Sequence, residues 1–488
     1  MADGRCPGGC RMRRFALGRR AGPPSSQPGG RGRQRGQALV LGLVILVGAV
    51  LGYFFMFSTG QITATRQRLD NAADAAAWSA ALWRARVMNF HAYANRAIVA
   101  QEVAVAQAVT LVSWAKYFES FTTTASVLAA PYPPVASVLA ISADLARTAR
   151  ELTEETAGEE IAARNAYKQL LVTSQEILQR SVDTFGLGAV ANEVARANDS
   201  RFFAFALPDA EDAPFGRMTR RYEGDDRARL KKVVEDSLDP FVRGPRGLDL
   251  TLWLLPSLCF GNPIAGPDKW FQELKKRGGT VMAPDFERWE AGDTHSLHDW
   301  RPQRGLFGIF RGCRQVESIP LGWGAAAASD GQAAGIVGAD GLFGGGLQAN
   351  PGDVRDNPNA TTLAEAGMSG HGYPGFSAYS GTPAVRDLDY AALANPRFPV
   401  SRVAVLARVD GEHARSANAL NVGVGRLRLA ENYAGGRLWA LAAAEVYFRR
   451  PAGGPERVEY ASLYSPYWQV RLVEPSTAQR AVADGYVR

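Results

Sequence analysis

Residues 38–57 read ALVLGLVILVGAVLGYFFMF and contain only apolar residues and glycine. The stretch lies within a charge-free run from Gly36 to Thr65. A helix rises ~1.5 Å per residue, so a helix of this length spans the ~30 Å hydrocarbon core of a bilayer. The apolar core is longer than that of a secretory signal peptide, and residues 62–64 form a poor cleavage site. We therefore predict a permanent transmembrane helix over residues 37–60.

The basic residues are concentrated before this segment. Residues 1–36 contain nine arginines and one aspartate, a net charge of +8. Since the whole chain carries +7, the remainder carries −1. The basic pI therefore comes from a Gly/Pro/Ser-rich tail, which we expect to be disordered, and nucleic acid is not an expected partner. The positive-inside rule places this tail in the cytoplasm and the rest of the chain on the other side of the membrane.

Two long helical stretches are predicted to follow the membrane segment. Residues 61–130 contain neither glycine nor proline and are rich in alanine, the strongest helix former. Prolines at 131, 133 and 134 end this stretch, and a second helical pattern runs over residues 135–197. Residues 61–200 are therefore predicted to form a helical stalk. Its first and second stretches are expected to pair as an antiparallel hairpin or small bundle.

The composition changes at residue 201, where prolines, aromatics and short apolar runs appear. Residues 401–409, 438–448 and 467–473 have the apolar, β-branched character of strands. The region rich in Gly, Ala, Asn and Asp at about 324–382 is expected to be a loop. The predicted fold class is thus α+β, with a membrane helix, a helical stalk and a mixed exported domain over residues 201–488.

Three groups of residues on the first helical stretch are candidates for partner binding. Gly48 and Gly52 form a G-x-x-x-G motif, which permits close helix approach, although glycine is common in membrane helices. Asp74 lies one turn after Asp70 and could mark a docking face or simply a solvated one. The third group has helical spacing and fits either partner recognition or a buried polar network between the stalk helices; it comprises Asn89, Phe90, Tyr93, Asn95 and Arg96.

The densest set of potential metal ligands is His295, His298 and Asp299. An H-x-x-H pair could share a helix face, but the glutamate of H-E-x-x-H is absent. The sequence shows no nucleophile elbow, Walker A loop or dinucleotide fingerprint, so no cofactor and no enzymatic activity are expected. Cys259 and Cys313 lie on the exported side, where oxidation is permitted, and we predict that they form a disulfide.

The start of the chain resembles the N-terminal segment of TadE/TadG-like proteins of the Flp (tight-adherence) pilus assembly system. The shared features are Arg35-Gly36-Gln37 before the apolar run and the alanine-rich motif of residues 72–77 with Asp74 inside it. Looser likeness extends over residues 89–107, 320–326 and 443–472. The chain departs from related pilins at Leu41, where a glutamate would follow a cleavage site at Gly36, and it lacks the D-x-S-x-S motif of von Willebrand A-type domains.

This resemblance implies a structural component of pilus assembly in the bacterial inner membrane, with a periplasmic C-terminal domain. Its expected partners are the membrane and other pilus-assembly proteins or pilin-like subunits. A periplasmic hydrolase or metalloenzyme using His295, His298 and Asp299 is one alternative. A surface adhesin is the other.

Overall fold

The computed structural model describes residues 37–208, 215–244, 246–252, 272–283, 286–304, 310–329, 375–413, 436–450 and 459–487. The fold is α+β, with a long apolar helix first and a β-rich C-terminal region. The predicted tail, residues 1–36, lies outside the described residues.

The first helix, α1, runs without a break from Gln37 to Leu128. Its 92 residues span ~140 Å at the usual rise. Within the described part of the chain it is the one helix long and apolar enough to cross a membrane, and its most apolar window has a mean hydropathy of 2.6 with no buried residue. The predicted membrane helix and stalk are thus two parts of one rigid element.

The second helical stretch is two helices, not one. Helix α2 runs over Pro133–Arg180 and lies antiparallel to α1, and α3 runs over Thr184–Asn198. The break comes at Asp183. Its side chain accepts a hydrogen bond of 2.7 Å from the backbone N–H of Gly186 and so caps α3. The prediction of one continuous helix over residues 135–197 was therefore wrong at this point. The chain leaves α2 after Arg180, and the cap at Asp183 starts α3.

Three sheets follow within the described ranges. A four-stranded antiparallel sheet has the order β1-β9-β10-β11, a two-stranded sheet pairs β2 with β8, and a five-stranded sheet has the order β3-β4-β5-β6-β7. All pairs are antiparallel except β6 with β7. The strands are β1 (Phe203–Ala206), β2 (Thr219–Tyr222), β3 (Leu248–Leu252), β4 (Gln272–Met282), β5 (Arg288–Arg304), β6 (Phe310–Ser329), β7 (Gly375–Phe376), β8 (Val385–Leu388), β9 (Val400–Asp410), β10 (Arg437–Phe448) and β11 (Trp468–Val473). Short helices are α4 (Phe215–Met218), α5 (Ala228–Ser237), α6 (Pro240–Arg243) and α7 (Thr477–Val487).

The alanines of the stalk pack mainly against the four-stranded sheet. Ala72, Ala76 and Ala80 are fully buried in one core with Val405 and Ala444 of β9 and β10. Small side chains let the helix backbone lie close to the sheet. The sheet of the same chain therefore covers the alanine face of the helix.

Farther along, α1 packs on the five-stranded sheet. A Cβ added to Gly324 of β6 would lie 2.1 Å from the carbonyl oxygen of Ser113 and 2.3 Å from the amide nitrogen of Tyr117, both on α1. The expected loop at 324–382 was therefore wrong at its start, since residues 324–329 are strand. Glycine and four alanines are used here for close packing. Residues 330–374 lie outside the described part.

Candidate functional site

Helix α1 has an exposed side that the described residues leave uncovered. We call it the outer strip of α1 and define it by side chains that recur at helical spacing between residues 74 and 118. Trp78 is 39% exposed and Tyr93 is 62% exposed, large fractions for aromatic side chains on a folded domain. The strip comprises Asp74, Trp78, Tyr93, Arg96, Leu111, Trp114 and Phe118.

The end of the strip nearest the apolar run begins with an acidic residue. Asp74 is exposed, and its pKa is raised by partial burial and by the nearby carboxylates of Asp70 and Glu474. Repulsion from the carboxylates of Asp70 and Glu474 therefore disfavours the charged form of Asp74. A basic group on a partner would relieve this repulsion.

Arg96 is also on the outer strip. It is exposed, and it forms no hydrogen bond or ion pair with another residue in the described ranges. Trp114 and Phe118 stack at 5.4 Å with nearly parallel rings, and both are more than a third exposed. The strip therefore offers aromatic area and charges of both signs, features that recur in protein interfaces.

Asn89 and Asn95 bond to other parts of the fold instead. Asn95 has no exposed surface; its amide donates to the carbonyl oxygens of Arg386 and Leu463 at 2.8 and 2.7 Å, and its oxygen accepts from Gln175 of α2 at 2.7 Å. Asn89 exchanges two hydrogen bonds of 3.0 Å with the backbone of Trp468, at the start of β11. The five-residue group thus divides: the two asparagines hold the fold together, whereas Tyr93 and Arg96 face outward.

The apolar run of α1, residues 38–53, is exposed along almost its whole length. A Cβ added to Gly48 or Gly52 would meet nothing within 4 Å, so no described part of the chain packs on the G-x-x-x-G motif. Gln37 is the first residue of the helix, and Gly36 lies outside the described residues. Tyr53 and Phe57 stack near the end of the apolar run, at 6.5 Å. Aromatic side chains are enriched at such a level, where membrane meets water.

The histidine cluster does not lie on a helix. Residues 295–299 belong to β5, so the expected shared helix face was wrong. The Nδ1 atom of His295 lies 2.9 Å from the hydroxyl of Tyr117, and its Nε2 atom is buried without a hydrogen-bond partner. Burial, aided by Lys276, lowers the pKa of His295 to about 4. The side chains of His298 and Asp299 lie outside the description. Within the described residues, no three His, Cys, Asp or Glu side chains group as metal ligands.

The predicted disulfide concerns residues that are not described. Cys259 lies in the gap between residues 252 and 272, and only the backbone of Cys313, on β6, is described. The pairing stays a prediction.

Two buried charge networks were not foreseen. Asp293 of β5 has no exposed surface and accepts from Arg246 at 2.9 and 2.8 Å, from Lys276 at 2.8 Å and from Ser113 at 2.9 Å. In the second network, Glu102 of α1 meets Lys168 of α2. A lone acid in the apolar run IVAQEVAVAQAV was a usable signal for Glu102. Nothing in the sequence placed Arg246 beside Asp293.

These features define a class: an α+β protein whose first helix serves both as a candidate membrane span and as the centre of the fold. Residues 36–85 match the family model described as "Putative Flp pilus-assembly TadE/G-like", so this segment is TadE/G-like, in agreement with the resemblance seen in the sequence. No curated protein matches the chain. No solved structure matches it either. The match covers the apolar run and the first part of the stalk, which associates this segment with Flp pilus assembly and a membrane.

Proposed function

We propose that this chain is a single-pass inner-membrane component of a Flp-type pilus assembly machine and that it acts by binding other proteins, not by catalysis. In this proposal the N-terminus is cytoplasmic and the β-rich region is periplasmic. The observation that carries it is the TadE/G-like match at residues 36–85, which falls on the open membrane helix and the start of the outer strip.

The two faces of α1 suit different roles: one packs in the core, and the other is free to bind a partner. The alanine face, with Ala72, Ala76 and Ala80 fully buried, is occupied by the four-stranded sheet. The outer strip on the opposite side carries exposed Trp78 and Tyr93. Since α1 is unbroken, a partner helix that packs against residues 38–57 in the bilayer can continue along the strip outside it. Close packing inside the membrane would use Gly48 and Gly52.

The first experiment measures sheared surface pili in a host strain that lacks this gene, with and without a complementing copy. We expect loss of pili in the deletion strain and recovery on complementation. A normal amount of pili in the deletion strain would contradict the proposed role in pilus assembly.

The outer strip is then tested by substitution in the complementing copy. Trp78→Ala with Tyr93→Ala is expected to lower pilus yield while the protein stays at its normal level, because both side chains are exposed and support little of the core. Leu170→Ala with Ile177→Ala is the matched control, since these α2 side chains are 59% and 64% exposed but lie off the strip. Equal loss in both pairs would contradict a role specific to the strip.

The membrane face is tested separately. Gly48→Ile with Gly52→Ile is expected to lower pilus yield by blocking close helix approach. Gly42→Ile is the control, because this glycine lies in the same apolar run and is equally open. An unchanged yield in the double variant would limit partner contact to the part outside the bilayer.

A further inference from the structure

The turn between α1 and α2 is an apolar tip. No charged residue occurs between Glu119 and Asp144, so residues 120–143 are uncharged. Large apolar side chains stand out from both helices here, each more than half exposed; they are Val127, Leu128, Tyr132, Val135, Val138 and Ile141. Soluble surfaces rarely group so many exposed apolar side chains without a charge among them.

The backbone of the tip leaves no donor unsatisfied. The N–H groups of residues 129, 130, 132, 135 and 136 all donate to carbonyl oxygens of the tip itself, at 2.8 to 3.2 Å. The remaining residues between 129 and 136 are prolines at 131, 133 and 134, which have no N–H. The first turn of a helix normally exposes free N–H groups to water. Here Pro133 and Pro134 occupy the first two positions of α2.

Four hydroxyl groups of the tip also donate to carbonyl oxygens of their own helices. Thr122 donates to the carbonyl oxygen of Phe118, Ser137 to that of Pro134 and Ser142 to that of Val138, at 2.9 to 3.0 Å. Ser126 donates to the carbonyl oxygen of Thr123 at 2.7 Å. A segment placed in hydrocarbon must satisfy its polar groups internally, since no water is there to do so.

We propose that this tip inserts into a lipid surface. An uncharged segment whose turn has no free backbone N–H group suits hydrocarbon better than a charged one, and charges lie at its boundary, where headgroups would lie. There Glu119 pairs with Arg150 at 2.7 Å and Arg147 lies 3.9 Å from Asp144. Each leg of the tip has about 11 residues, or ~16 Å of helix. That length reaches through one leaflet and does not span the ~30 Å core.

This lipid surface must differ from the bilayer that residues 38–57 are proposed to cross. Helix α1 continues unbroken from the apolar run to the tip, and residues 58–120 separate the two by ~90 Å. A straight helix cannot return its far end to the bilayer that its near end crosses. This inference goes beyond the proposed function, and its test uses no pilus measurement.

The test uses the full-length protein held by residues 38–57 in lipid nanodiscs, so that the membrane helix is already occupied. The nanodiscs are mixed with vesicles of pure phosphatidylcholine and floated through a density gradient. Wild-type nanodiscs are expected to float with the vesicles, whereas empty nanodiscs stay below. Val135→Asp with Val138→Asp is expected to lower the floating fraction by roughly tenfold, because burying a charge in hydrocarbon is costly.

The control is Leu170→Asp with Ile177→Asp, which places the same charges on equally exposed positions of α2 outside the tip. It is expected to float like the wild type. Equal melting temperatures for all three proteins show that folding is unchanged. Wild-type nanodiscs that stay below overturn the inference, as does equal loss in both variants. Flotation that appears only after a second protein is added also overturns it and assigns the tip to a protein partner.

Discussion

Lys168 on α2 donates a hydrogen bond of 2.6 Å to Glu102 on α1, and neither side chain has any exposed surface. The other carboxylate oxygen of Glu102 accepts from Trp289 at 3.0 Å and from Tyr379 at 2.9 Å. Burial lowers the pKa of Lys168, opposed by the charge of Glu102. This one carboxylate therefore joins both long helices to β5 and to the segment after β7.

Replacing Lys168 with methionine should destabilise the fold. Removing one partner of a buried ion pair leaves the other charge uncompensated, which typically costs about 3–5 kcal/mol. The measurement is the free energy of unfolding of the purified protein. Lys232→Met is the control, since Lys232 forms an exposed pair with Asp236 that contributes at most about 1 kcal/mol. If Glu102→Leu is added to Lys168→Met, part of the stability should return, because no lone charge remains.

Substitutions at the neighbouring residues Asn95 and Arg96 should differ strongly in their effect on stability. Asn95→Ala removes three buried hydrogen bonds and leaves Gln175 and two carbonyl oxygens with fewer partners, so we expect a loss of about 1–3 kcal/mol or more. Arg96→Ala changes an exposed side chain and should stay within about 0.5 kcal/mol. Thermal unfolding of both variants checks this. Similar losses in the two would contradict the division between inward and outward residues.

Gly324→Ala should disrupt the contact between β6 and α1. Its methyl group would overlap the backbone of Ser113 and Tyr117, which a side-chain movement cannot relieve. We expect a loss of at least about 1–3 kcal/mol, typical of overpacking. Gly216→Ala is the control, because its added Cβ meets nothing within 4 Å. Equal melting temperatures for the two variants would show that the helix and strand are farther apart than the structure places them.

Stability should fall as the pH drops from about 6.5 to about 4. His91 is fully buried, and burial lowers its pKa to about 4 from the usual 6.5, with Arg386 acting in the same direction and Gln179 and Glu176 against it. The folded state therefore binds this proton less readily than the unfolded state, and acid favours unfolding. A difference of this size corresponds to roughly 3 kcal/mol at most, lost across that interval.

The pH dependence is checked by unfolding His91→Gln across the same range. The variant cannot titrate at this position, so its stability should change less between pH 6.5 and 4 than that of the wild type. His295, whose pKa is lowered in the same direction, keeps part of the dependence. His413→Gln, which replaces an exposed histidine, is the control for the substitution itself. If the stability of His91→Gln changes with pH as much as that of the wild type, His91 is not the source of the pH dependence.

Much of the fold could be predicted because its signals are local. The apolar run at 38–57, the absence of glycine and proline from 61–130 and the prolines at 131–134 predicted the helices of the hairpin. Short apolar runs predicted β9, β10 and β11 within one or two residues. Each signal depends on neighbours along the chain, which are the neighbours that set helix and strand propensity.

The errors came where distant parts of the chain decide. The glycine and alanines at 324–328 have a loop-like composition, yet they are strand because α1 lies against them. His295 and His298 could have shared a helix face, but pairing with β4 and β6 places this segment in a sheet. The alanines at 72–80 fit a helix partner as well as a sheet, since both accept small side chains.

The sequence by itself determined that this chain has an apolar span, a long helix after it and a TadE/G-like N-terminal segment. Only the tertiary structure decided which side of that helix remains open. Hydrophobic length and helix propensity are properties of a continuous segment, whereas exposure depends on which distant strands cover a face. For that reason Asn95 and Arg96, adjacent in sequence, lie on opposite sides of the boundary between the core and the outer strip.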